Sequence, residues 1–175
     1  MKLGTKANSK YSYEIKPSIE IHTSVGKVWD FIIDIESWWV KSNSEHISLV
    51  INDAEKNIRI GTRITVREKI AGIPCKAIGE ITKYEPNELV EWRAIYYLLG
   101  MKWIKVYAGV RWKLRSIGDN TSSLMANVWA DFPKGFGYSL LWFLFKNMMN
   151  GIKKDYEHAM KELVYIKTTI ENELN

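Results

Sequence analysis

Residues 138–171 read YSLLWFLFKNMMNGIKKDYEHAMKELVYIKTTIE, and this stretch decides the fold. Apolar side chains recur at Leu141, Phe145, Met148, Ile152, Tyr156, Ala159, Leu163, Ile166 and Ile170. Gaps of three and four place them all on one face of a single long helix. A stripe of that length needs a long concave surface to cover. Only the strand-rich segment before it can supply one. A helix laid along a curved sheet leaves space between the two, and that space is the expected site of function. Gly151 interrupts the helix interior, where glycine costs roughly 1 kcal/mol relative to alanine. It marks a bend, or a place where something packs close to the backbone.

Working outward, the segment before the helix alternates with period two. In 104–115, Ile104, Val106, Ala108, Val110, Trp112 and Leu114 share one face, and Lys105, Tyr107, Arg111, Lys113 and Arg115 the other. One buried and one wet face is the mark of an antiparallel sheet. Gly118-Asp119-Asn120 forms a hairpin turn into a last strand, 121–132, with Leu124, Ala126, Val128 and Ala130 inward. Upstream, 89–97 puts Val90, Trp92, Ala94 and Tyr96 on one face. In 62–70, Ile64, Val66, Glu68 and Ile70 oppose Arg63, Thr65, Arg67 and Lys69. Ala71-Gly72 turns the chain into a strand through Cys75, Ala77, Gly79 and Ile81. Residues 46–51 and 18–23 read as further strands. Ser24 is a suitable N-cap for a short helix through Val28, Trp29, Phe31 and Ile32, and a second short helix carries Trp38 and Trp39. The fold class is therefore α+β, with about seven antiparallel strands, two short helices after the first, and a long C-terminal helix. Residues 1–12 are expected to be a flexible leader and 13–175 a single domain.

The bulk properties narrow the class. A chain of 175 residues with 46% hydrophobic content builds one sizeable core. Eight Trp and nine Tyr predict a core or pocket with large rigid walls. The single cysteine, Cys75, allows no disulfide within these residues and no cysteine-based metal cluster. The first residues are polar and carry Lys2, Lys6, Lys10 and Lys16, unlike a signal peptide. No stretch reaches the roughly 20 apolar residues of a membrane span, so the default expectation is a cytoplasmic protein. The net charge of +5 is spread along the chain, and no nucleic-acid-binding motif is present.

Several strings resemble the helix-grip fold of the START and Bet v 1-like (SRPBCC) superfamily, and within it the polyketide cyclase/dehydrase and lipid-transport group. They are Ile21-His22-Thr23-Ser24 before Val28-Trp29-Asp30-Phe31-Ile32, and Ile60-Gly61-Thr62-Arg63-Ile64 before Ala71-Gly72. Ile81-Thr82 continues through Glu85-Pro86 to Leu89-Val90-Glu91-Trp92, and the helix ends in Glu157-His158, Leu163, Ile166-Lys167 and Glu171. Together they span roughly residues 17 to 172. The resemblance implies a cavity between sheet and helix that takes an apolar or amphipathic small molecule. The superfamily spans carriers, receptors and cyclases, so fold alone does not set the activity.

Glu68 is the candidate for acid–base chemistry. Its strand parity turns it toward the helix, where a desolvated carboxyl has a raised pKa; pairing with a basic residue at the sheet's mouth is the competing reading. Trp92, Tyr96 and Trp112 share the inner face, to stack on a flat ligand or simply to fill the core. Val106, Ala126 and Val128 line the same face, Trp38 and Trp39 the gate, and Phe145, Met148, Met149 and Ile152 the helix wall of the expected binding site. Segment 138–145 is apolar nearly all round; it covers the pocket mouth, meets a partner or a membrane surface, or packs against Trp38 and Trp39. His22, His46 and His158 lie on separate elements with no His–His spacing that suits a metal, and His22 and His158 read as surface residues. No metal site and no cofactor are expected. No G-x-S-x-G string is present.

The leading reading is a protein that carries or senses a hydrophobic or amphipathic small molecule such as a lipid, isoprenoid or polyketide. One alternative is a cyclase, aromatase or dehydratase acting on a polyketide or aromatic substrate. Another is an interaction protein that uses the apolar start of the C-terminal helix, which leaves room for peripheral membrane contact. Oligomeric state is not legible.

Overall fold

The structure is a computed structural model that describes residues 11–52 and 57–173. The chain runs β1 (Ser12–Ile15), β2 (Ser18–Ile21), α1 (Val25–Ile33), α2 (Ile35–Ser42), β3 (His46–Ile51), β4 (Arg63–Ile70), β5 (Ile73–Glu85), β6 (Leu89–Leu98), β7 (Lys105–Gly118) and β8 (Thr121–Asp131). Three helical pieces follow: α3 (Phe136–Phe143), a π-helical segment (Leu144–Met148) and α4 (Gly151–Asn172). The sheet is antiparallel in the order β1-β8-β7-β6-β5-β4-β3, and β2 also pairs with β8. Because β1 and β2 share one neighbour, eight strands fill seven positions across the sheet. This is the helix-grip architecture that the resemblance implies, built from the strand and helix order that the alternation predicts.

Strand β1 was not anticipated. It opens with Ser12 paired to Asp131, inside the segment expected to be leader. The rest of that leader, residues 1–10, lies outside the described residues. Strand parity agrees with the pattern elsewhere: Ile64, Val66, Ala77, Ile81, Val90, Trp92, Ala94, Trp112, Leu114, Leu124 and Ala126 are buried in one cluster with Leu163, Ile166 and Ile170 of α4. Ala71 and Gly72 both take positive φ, 52° and 83°, as a type I′ hairpin turn demands. Ser24 sits at the N-cap of α1, though its side chain makes no capping hydrogen bond.

The C-terminal helix is not continuous. After α3 the chain widens into a π-helical turn, closed by Met149 N–H donating to the Leu144 carbonyl at 3.0 Å. Asn150 then adopts the left-handed conformation (φ 51°, ψ 38°), which asparagine tolerates better than most residues. Gly151, the next residue, has no room for a side chain. The Phe145 ring packs so closely that a Cβ on Gly151 would sit 2.4–2.5 Å from its carbons. Bend and close approach, the two readings of this glycine, both occur.

The expected stripe holds at Phe145, Ala159, Leu163, Ile166 and Ile170 but fails around the break. Met148, expected in the stripe, is 70% exposed, and Tyr156 is 43% exposed. The face of α4 that meets the sheet carries Asp155, His158, Ala159, Glu162, Leu163, Ile166 and Ile170. Its first turns are thus polar where the hydropathy reading places Tyr156. The apolar start of the C-terminal region does not pack on Trp38 and Trp39. Trp142 instead stacks on Tyr13 and meets Phe132 edge-on, with ring centroids 6.2 and 5.2 Å away. Phe136, Leu140 and Phe143 remain exposed.

Candidate functional site

A cavity of about 120 Å³ lies between the sheet and the helices. Of the residues expected to line it, Trp39, Glu68, Trp92, Tyr96, Val106, Trp112, Val128 and Phe145 do so. Trp38, Ala126, Met148, Met149 and Ile152 are not on its wall. Trp38 is core: it is almost fully buried, its ring packs edge-on to Trp112, and its Nε1–H donates to the Ile32 carbonyl at 3.3 Å. Trp92 and Trp112 are buried, yet their indole N–H groups have no hydrogen-bond partner among the described residues. An unpartnered buried donor costs about 1–3 kcal/mol.

One side of the cavity is a cluster of buried titratable groups that the sequence reading largely missed. Glu68 faces inward, as its parity requires, and is buried. Tyr96 donates its hydroxyl proton to Glu68 Oε1 at 2.9 Å. Glu68 Oε2 lies 3.7 Å from His46 Nε2 and 3.5 Å from His158 Nε2. Glu162 Oε1 lies 3.1 Å from His46 Nε2 and 3.4 Å from His158 Nε2. The two Nε2 atoms are 2.8 Å apart. Close by, Tyr13 donates to Asp155 Oδ2 at 2.7 Å.

His46 reaches the cluster through a β-bulge. Leu49 and Ile51 pair with the inward residues Val66 and Ile64, so strict alternation would turn Ile47 in and His46 out. The register shifts between His46 and Ser48, and His46 stands opposite Glu68. Ile47 is the extra residue and is 54% exposed. Bulges re-aim side chains in this way. The imidazole is then fixed from both sides. Its ring stacks on Trp39 with centroids 3.6 Å apart, and Nδ1 donates to the Trp39 carbonyl at 2.6 Å. His158 is not a surface residue but 5% exposed, with Nδ1 donating to Glu45 Oε2 at 3.2 Å. Its partner Glu162 sits four residues on, one helical turn away on the same face. A search confined to His–His spacing passes over this His-x-x-x-Glu pair. His22 is at the surface, as expected, bound to Glu171.

Burial raises the Glu68 carboxyl to about 7, against the opposing pull of His158 and His46. Burial would likewise raise Glu162, but its hydrogen bonds to His158 and His46 win and hold it well below the usual range. The same contacts hold the His158 imidazolium well above its ordinary value despite burial. Burial lifts Asp155 to about 6, with the Tyr13 hydrogen bond and His158 opposing. Burial, reinforced by Glu68, pushes the Cys75 thiol to about 12, so it is a core residue rather than a nucleophile.

No family model matches the chain, and no curated relative matches it in sequence. Solved structures do. The Zhui aromatase/cyclase from Streptomyces sp. R1128 superposes with a TM-score of 0.73 at 9% identity, over 94% of this chain and 96% of that one. Norcoclaurine synthase from Thalictrum flavum gives 0.67 at 10% identity, over 94% and 97%. A START superfamily protein from Mycobacterium smegmatis gives 0.53 at 12% identity, over 86% and 98%. At these identities the likeness speaks for the fold alone. Sheet order, the paired short helices and the closing helix agree with it: the chain shares the helix-grip fold of these solved structures.

Proposed function

We propose that the chain binds one hydrophobic or amphipathic small molecule in the cavity between sheet and C-terminal helix. The observation that carries this reading is the pair of unpartnered indole donors, Trp92 and Trp112, among the lining residues of a cavity that is apolar apart from the cluster around Glu68 and His158. A ligand with an acceptor oxygen would satisfy a donor that the protein leaves unsatisfied, and its apolar body would contribute roughly 25 cal/mol per Å² buried. The cavity is close to the size, about 150 Å³, that admits a single aromatic ring. This favours a compact aromatic, isoprenoid or polyketide fragment over a two-chain lipid. The cyclase alternative is less well supported. Glu68, Tyr96, Tyr13, Asp155 and His158 are each engaged with one another or with Glu45 rather than presented singly to the cavity.

Native mass spectrometry for a co-purified species, followed by a thermal-shift screen of aromatic alcohols, ketones and their hydrocarbon analogues, tests the reading. The expected result is a raised Tm for compounds bearing an acceptor oxygen. Trp92→Phe and Trp112→Phe should weaken those compounds about five- to tenfold, the worth of one hydrogen bond, and leave the hydrocarbons unchanged. No co-purified species and no Tm shift from any probe would overturn it.

A further inference from the structure

We propose that His46, His158 and Glu162, with Glu68 as a fourth donor, form a binding site for one divalent transition-metal ion, with Zn²⁺ the best match. The inference stands apart from the organic ligand, because the site needs no molecule in the cavity.

The first argument is the direction of the lone pairs. A carbonyl can only accept, so the His46 Nδ1–Trp39 contact of 2.6 Å puts that imidazole's proton on Nδ1. Glu45 Oε2 does the same for His158 at 3.2 Å. With Nδ1 donating on both rings, the two Nε2 atoms face each other at 2.8 Å, a gap that either one shared proton or one metal ion would bridge. Two lone pairs at that distance repel unless a cation lies between them. Metal-ligating histidines are oriented in just this fashion, with the far nitrogen donating to a carbonyl or carboxylate.

Spacing is the second argument. In a tetrahedron of nitrogen and oxygen donors about 2.0–2.1 Å from Zn²⁺, neighbouring donors are about 3.3 Å apart. Among His46 Nε2, His158 Nε2 and Glu162 Oε1 the three separations are 2.8, 3.1 and 3.4 Å, and Glu68 Oε2 stands 3.5 and 3.7 Å from the two imidazoles, where it could complete the set. Charge is the third. Two neutral imidazoles and two carboxylates around a divalent ion sum to zero, which a buried site requires. Two imidazoles disfavour Mg²⁺ and Ca²⁺, which take oxygen donors. The donors sit on β3, β4 and α4, rigid elements rather than loops, and Tyr96 orients Glu68 from behind. Glu68, His158 and Glu162 line the cavity, so the ion would be part of its wall.

The rival arrangement is a closed network in which a proton sits between the imidazoles and Glu162 balances it. Titration of chelator-stripped protein decides between the two, with ZnCl₂ by calorimetry and CoCl₂ by visible absorption. One ion per chain, d–d bands of tetrahedral intensity for Co²⁺ and a raised Tm are expected. Glu162→Gln and His158→Gln should each weaken binding at least tenfold and Glu45→Gln about tenfold, with Glu171→Gln as the unaffected control. Should His158→Gln fail to fold, the wild-type titration and Glu162→Gln still decide. Absence of binding of either ion by the wild type, or unchanged affinity in Glu162→Gln, overturns the proposal.

Discussion

The Nε2 atoms of His46 and His158 lie 2.8 Å apart although 112 residues separate them in the chain. Three local features make this contact. The bulge at Ile47 turns His46 inward, the stacked Trp39 ring holds its imidazole, and the restart of the helix at Gly151 sets the face on which His158 lies. Each of those features can be tested through its own residues.

Gly151 has no room for a side chain. Gly151→Ala drives a Cβ into the Phe145 ring, and overpacking of this kind costs about 1–3 kcal/mol. Chemical denaturation should show that loss. Phe145→Leu combined with Gly151→Ala should cost less than the sum of the two single changes, because the smaller side chain frees the space. Additive losses would count against the ring as the reason for glycine.

Two phenylalanines two residues apart should behave oppositely. Phe145 is buried among Tyr13, Phe132 and Trp142, and Phe145→Ala should cost about 3–5 kcal/mol. Phe143 is half exposed, and Phe143→Ser should leave stability within about 0.5 kcal/mol. Equal losses on urea unfolding would mean that Phe143 is covered in solution.

On the outer face of the sheet, Glu91 is fully buried beneath Arg93 and Arg111. It accepts from Arg93 Nε and Arg111 Nε at 2.7 Å each and from the Thr82 hydroxyl at 2.8 Å, and it also pairs with Arg111 Nη2. Both guanidinium groups lie over the Trp129 ring, 5.9 Å from its centroid. Burial opposes the Glu91 charge, but the Arg111, Thr82 and Arg93 hydrogen bonds hold its carboxyl below the usual range. The native state therefore binds fewer protons than the unfolded chain. This contribution is present above the unfolded value of about 4.3 and is lost as pH falls through the lower native one. Glu91→Gln should cost about 2 kcal/mol at pH 7 and flatten the acid limb of the stability curve. An unchanged acid limb would refute the assignment.

Asp155 should act in the opposite sense. Its native value of about 6 lies above the unfolded one, about 3.9, so the native state binds more protons between the two. Stability from this group falls as pH rises from about 4 to about 6. Asp155 faces Tyr13 of β1, with His158 and Glu162 of α4 and Glu45 also acting on it. Asp155→Asn keeps an acceptor for the Tyr13 hydroxyl and removes the burden of a buried charge. Melting temperatures should converge with the wild type near pH 4 and exceed it near pH 7, by up to about 2–3 kcal/mol in stability. A variant less stable at pH 7 would show that the charge is needed there.

How much of this was legible follows from the range of each interaction. Alternation in Arg63–Ile70, Leu89–Leu98 and Lys105–Gly118 is a local, period-two signal, and it placed Glu68, Trp92, Tyr96 and Trp112 on the inner face without reference to any distant residue. The order of strands, turns and helices followed from the same pattern, because turn chemistry and alternation are written in neighbouring residues.

The polar cluster was decided only by the tertiary structure. Hydropathy assigns buried positions to apolar residues, so it puts Tyr156 in the stripe and His158 at the surface and gives no signal for the buried Asp155 and Glu162. Those polar groups are buried because partners from β1 and β3 satisfy them, and no helix-local signal contains those partners. One bulged residue inverted the parity of His46, and after the helix break the stripe keeps Ala159, Leu163, Ile166 and Ile170 buried but sets Asp155 inward in place of Tyr156. The sequence by itself determined which strand faces look inward and in what order the elements follow, because those signals are local. Which titratable groups meet between sheet and helix depended on a bulge and a helix break, whose causes lie in packing.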